Sequence, residues 1–213
     1  MFIAADVYLS AVRSFRSVYY DGRYGGGKTL LATATALNLA KNFGYSIYSN
    51  IPVHHDNVVD VPTFCEDDHC PVPRLHAVYL YDEAWGELGA GTKSKQINEY
   101  LAYLRKWDII TLLPSVLPLA RDAWLVHVER IFCGDALGIP LWVYAWKTRG
   151  KSVKNSGGRF AIWRPSKYFG TYDTDITPLD MPPLGAYHYY NNHHRYDDYM
   201  RKQRDEQAAR FGV

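Results

Sequence analysis

Asp21-Gly22-Arg23-Tyr24-Gly25-Gly26-Gly27-Lys28-Thr29 carries the spacing G-x-x-x-x-G-K-[ST], with Gly22, Gly27, Lys28 and Thr29 at its fixed positions. Before it, Ser17-Val18-Tyr19-Tyr20 is short, β-branched and aromatic, as a buried strand is. After it, Leu30 to Ala40 is rich in Ala and Leu and free of Gly and Pro, which predicts a helix ending near Gly44. Strand, glycine loop and helix thus follow in the order a phosphate loop requires. Glycines let the backbone turn its N–H groups inward toward an anion, and the helix adds its positive end. The candidate nucleotide-binding residues are Gly22, Tyr24, Gly25, Gly26, Gly27, Lys28, Thr29 and Leu30. Lys28 is expected to reach the β- and γ-phosphates of ATP, and Thr29 to place its hydroxyl on Mg²⁺.

Farther along, Leu75 to Tyr81 is an apolar run that ends in two carboxylates, Asp82 and Glu83. Apolar residues at consecutive positions imply a strand covered on both faces, and its C-terminal end is where open α/β sheets bind ligands. Asp82 is the candidate second Mg²⁺ residue, acting through water, and Glu83 the candidate base for an attacking water. Adjacent carboxylates at a strand end are common. Their weight comes from the glycine loop upstream.

Other segments fall into place around these two. Asp6 is expected to cap a short helix through about Phe15, as an accessory segment over residues 1–16. Tyr45–Ile51 reads as a second strand, Ile109–Leu113 as another and Val126–Cys133 as a fifth, all within a core spanning 17–135. Residues 94–107 and 117–124 read as helices, and 53–74 as loop. His54, His55, Cys65, His69 and Cys70 fall in or beside that loop, but Cys-x4-Cys without a second pair is a weak zinc signal. Over 136–176 two aromatic runs, Leu141–Trp146 and Arg159–Trp163, flank a polar loop and predict a hairpin. Residues 136–172 hold seven basic side chains and no acidic one, in a chain whose formal net charge is only +2. Lys147, Arg149, Lys151, Lys154 and Arg159 are therefore candidate contacts to DNA phosphates. A charged helix is expected within the tail, 177–213.

With 213 residues, 47% hydrophobic and 22% charged, the chain has the composition of a globular α/β protein. Three cysteines do not make a disulfide scaffold and favour a reducing compartment. No apolar run reaches the roughly 20 residues of a membrane helix, and the N-terminus lacks a signal-peptide pattern. A cytoplasmic or virion-associated protein is expected.

The order of glycine loop, Tyr48-Ser49-Asn50-Ile51, Asp82-Glu83-Ala84-Trp85, Arg105-Lys106 and Asp108-Ile109-Ile110 resembles the additional-strand P-loop ATPases of the FtsK/HerA type. Within that group the chain is most similar to viral genome-packaging ATPases and zonular-occludens-toxin-like phage ATPases. Tyr172-Asp173-Thr174 adds to the likeness. The resemblance implies a RecA-like core with a mostly parallel central sheet, helices on both faces, and a C-terminal hairpin plus helix. It also implies that another strand, Asp108–Leu113, separates the glycine-loop and Asp-Glu strands. A polar sensor, often Gln, usually ends that strand. None stands here, and Ser115 is the substitute. Arg121, or failing it Arg130, is the expected arginine acting across a subunit boundary. The implied activity is Mg²⁺-dependent ATP hydrolysis by a homo-oligomeric ring, a hexamer, that moves DNA at a capsid vertex. The rival expectations are an export ATPase working with a membrane protein and a nucleotide-binding switch that hydrolyses little.

Overall fold

The computed structural model describes residues 2–49, 51, 53, 76–83, 106–120, 124–149 and 156–172. They build one sheet of eight strands: β1 (Phe2–Ile3), β2 (Ser17–Asp21), β3 (Ser46–Ser49), β4 (Ala77–Leu80), β5 (Ile109–Pro114), β6 (Val126–Ala136), β7 (Ile139–Thr148) and β8 (Gly157–Trp163). Their order across the sheet is β1-β8-β7-β6-β2-β5-β4-β3. Neighbours from β3 through β6 pair in parallel, whereas β6–β7, β7–β8 and β8–β1 are antiparallel. The sheet is therefore mixed, and the expectation of a mostly parallel one holds only for the half that contains the glycine loop. In that half β5 lies between β2 and β4.

Two helices, α1 (Asp6–Phe15) and α2 (Lys28–Phe43), share one core with Val18, Tyr20, Val78, Leu80, Ile110 and Leu112, which alternate along their strands onto one face. The alternate residues Tyr79, Thr111 and Leu113 are buried as well, so β4 and β5 are covered on both faces. The helix expected at 94–107, the C-terminal helix and the loop expected at 53–74 lie outside the described residues, apart from Val53, Lys106 and Trp107. His76 bonds Asp108 and the Phe43 carbonyl, and Asp108 also pairs with Arg16. These contacts tie the N-terminal ends of β2, β4 and β5 together, away from the glycine loop.

Three local expectations change. Asp6 is the first residue of α1 rather than its cap; Ala5 holds the cap position and no side chain bonds there. Residues 117–120, the described part of the helix expected over 117–124 apart from Trp124, carry no helix, and Leu119 sits in an isolated bridge instead. The N-terminal segment is part of the sheet: β1 adds to β8, and α1 buries Tyr8, Leu9, Ala11 and Val12.

Candidate functional site

The C-terminal ends of β2, β4 and β5 lie side by side, and each delivers part of the site. From β2 the chain enters the glycine loop, where Gly25 and Gly27 take left-handed conformations with φ of 65° and 73°. A Cβ on Gly26 would press on the Arg23 carbonyl at 2.6 Å, and one on Gly27 would collide with the Trp142 ring. Gly27 caps α2 with no side-chain bond, which leaves the helix's first N–H groups facing the loop.

Lys28 is buried, and its Nζ donates to the Arg23 carbonyl oxygen at 2.9 Å, closing the loop on itself. Burial lowers its pKa. The charges of Glu83, Asp82 and Asp21 oppose that shift, and Arg130 adds to it. Thr29 Oγ1 donates to Asp82 Oδ1 at 3.0 Å, which joins the two halves of the motif. Burial raises Asp82 to about 6, against the opposing pull of Thr29's hydrogen bond and the Lys28 charge. Glu83 stands at φ 54°, held by its N–H donating to the Pro114 carbonyl at 3.1 Å. Its Oε2 is buried and has no hydrogen-bond partner. A non-glycine residue in the left-handed region carrying an unsatisfied carboxylate oxygen is the kind of strain that functional sites hold.

The hard oxygen donors Thr29 and Asp82 fit Mg²⁺, which keeps most of its waters and takes one or two carboxylates. Among the described residues no larger cluster of His, Cys, Asp or Glu could hold a metal ion.

Ser115 directly follows β5, fully buried, between the ends of β2 and β4. Its hydroxyl is engaged locally, donating to the Leu117 carbonyl at 2.8 Å and accepting the Leu117 N–H at 3.3 Å. Tyr24 is 83% exposed, so it stands outside the cradle, while Leu30 is buried in the core. Arg130 stacks on Trp142 at 4.8 Å, within electrostatic reach of Lys28 of its own chain. Arg121, Lys151 and Lys154 lie outside the described residues. Lys147 and Arg159 share the sheet face opposite the helices, by the pairings His127↔Lys147 and Ala145↔Arg159, and Arg149 follows β7.

Sequence reasoning missed the walls of the site. A cavity of about 420 Å³ opens over Gly25–Leu30 and is closed by Trp142, Phe169 and Tyr172. Tyr172 is near enough for the Asp82 charge to help raise its pKa, behind the larger effect of burial. Trp142 and Phe169, with ring centroids 6.3 Å apart, come from β7 and the end of a short 3-10 helix, Pro165–Tyr168. No spacing rule links them to a glycine loop more than 100 residues upstream. No protein-family model matches the chain, and no curated protein matches it.

Proposed function

We propose that the chain is a Mg²⁺-dependent ATPase with a RecA-like core, working in a homo-oligomeric ring that moves DNA, with viral genome packaging as its setting. The observation that carries this reading is the meeting of Lys28, Thr29, Asp82 and Glu83 at one sheet edge, sealed by the 3.0 Å bond from Thr29 to Asp82. A triphosphate would displace the Arg23 carbonyl from Lys28 and lie along the loop N–H groups, at the positive end of α2. Thr29 and Asp82 would hold Mg²⁺, which supplies charge neutralisation on the phosphates. Glu83, with its free Oε2, would orient the attacking water and take its proton. Arg130 and Lys28 would share the charge that develops on the transferred group.

Glu83→Gln should retain nucleotide affinity and lose turnover by roughly 10²- to 10⁴-fold, because an amide cannot accept the proton. Wild-type turnover in that variant would remove Glu83 from the role. Hydrolysis measured with and without duplex DNA, beside native mass, tests the motor. The local engagement of Ser115 favours a second reading, a nucleotide-binding switch without a working sensor. Slow hydrolysis that DNA does not stimulate would select it.

A further inference from the structure

A second, larger cavity of about 690 Å³ lies on the sheet face opposite α1 and α2, within the 300–1,000 Å³ range of ligand pockets. Tyr19, Asp21, Trp124, His127, Lys147 and Arg149 line it. Three of these are rings in mutual contact, with centroids 5.7 Å apart for Tyr19–Trp124, 5.4 Å for Tyr19–His127 and 5.3 Å for Trp124–His127. The Arg149 guanidinium lies 5.6 Å from the Trp124 ring, and the Trp124 indole N–H is buried without a partner. The one carboxylate, Asp21, accepts the Tyr19 hydroxyl at 3.1 Å and faces His127 Nε2 at 3.2 Å. Two donors thus hold its charge, and Lys147, exposed, and Arg149 face the cavity as cations.

An aromatic wall beside two cations selects among ligand classes. A carboxylate metabolite would satisfy the cations and leave the rings unused. An aromatic amine would use the rings and meet two like charges. A nucleotide matches both, with a π-face for the rings and a phosphate for Lys147 and Arg149. In a duplex the faces of the bases are already covered by their neighbours, so the cavity fits a base that is not stacked in a helix. We propose that this cavity binds an unpaired nucleotide, its base against Trp124 and its phosphate between Lys147 and Arg149. Asp21 links the two sites: it forms part of this cavity, immediately precedes Gly22, and its charge acts on Lys28. The inference does not depend on hydrolysis at the glycine loop.

The test uses the full chain without ATP, with a labelled oligothymidylate followed by fluorescence anisotropy across a salt series. The oligonucleotide should bind more tightly than a duplex of equal length. Trp124→Ala should weaken it by roughly 5- to 150-fold, the range of one lost base stack. Lys147→Ala, at an exposed position that does not endanger folding, should flatten the salt slope by roughly 0.7. Competition by thymidine monophosphate identifies a site for free nucleotides, and competition by strands alone identifies a strand-binding site; either result upholds the unpaired nucleotide. Equal affinity for duplex and single strand overturns it. So do an affinity and slope that neither variant changes.

Discussion

Asp82 is held where burial works against its own charge. Its pKa of about 6, against 3.8 for a free aspartate, means that the folded protein holds a proton there more tightly than the unfolded chain does. The folded state therefore takes up protons between roughly pH 4 and 6, and stability from this group falls as pH rises through that window. At 1.36 kcal/mol per pKa unit, the ionised carboxylate costs up to about 3 kcal/mol above pH 6. Asp82→Asn keeps an oxygen for Thr29 and removes the charge. The variant should be more stable than the parent at pH 7.5 and no more stable at pH 3.5, as read by urea denaturation at both values. A gain that persists at pH 3.5 would mean that the charge is not the cause. The same carboxyl must ionise to hold Mg²⁺, so metal affinity should fall below about pH 6. Stability given up at this residue fits a site organised for a cation.

Between β6 and β7 the chain reverses through only Leu137 and Gly138, with φ of 55° and 73° and Ala136 opposite Ile139. Two left-handed residues between paired strands make a type I′ turn, whose twist matches that of the ribbon. Asn-Gly is the usual sequence for it. Leu-Gly is not, and the apolar patterning alone predicts strands only over Val126–Cys133 and Leu141–Trp146. Leu137 is 97% exposed, so its side chain contributes no packing to offset the cost of the left-handed conformation. Leu137→Asn should stabilise the protein by about 0.5–1 kcal/mol and raise the melting temperature by about 1–4 °C. Calorimetry would check this, and a lower melting temperature would show that Leu137 has a packing partner. The turn matters beyond stability because β7 carries Trp142 to the glycine loop and Lys147 to the opposite face.

Across the whole molecule, the antiparallel and parallel halves of the sheet are joined through α1. Tyr8 stacks on Phe160 of β8 at 4.2 Å, and its hydroxyl bonds Tyr20 of β2 at 2.8 Å and Thr35 of α2 at 3.2 Å. Burial pushes both phenols upward in pKa, so both stay neutral and available as donors. Tyr8→Phe keeps the stack and removes only the hydroxyl. It should cost about 1–3 kcal/mol, the two hydrogen bonds of that hydroxyl, with an unchanged denaturant slope. A cost under 0.5 kcal/mol would mean that α1 is held by packing alone. Residues 2–16 are in this sense built into the core that supports the glycine loop, which is more than the accessory role expected over 1–16.

What the sequence determined by itself was local in the chain. The glycine loop needs small residues at fixed spacing, so Gly22–Thr29 and α2, with its left-handed Gly44 stop, were legible from residue types alone. The buried strands 17–21, 77–80 and 109–114 were legible for the same reason, since consecutive apolar residues suit a sheet covered on both faces. The direct hydrogen bond from Thr29 to Asp82 came only from the structure, although residue types alone marked both as candidate Mg²⁺ residues. Only the tertiary structure decided the rest. The local engagement of Ser115, the approach of Trp142 and Tyr172 to the loop, and the ring cluster around Asp21 join residues far apart in the chain. Such contacts depend on strand order and register, and a shift of one residue in β7 would exchange the faces of Trp142 and Lys147.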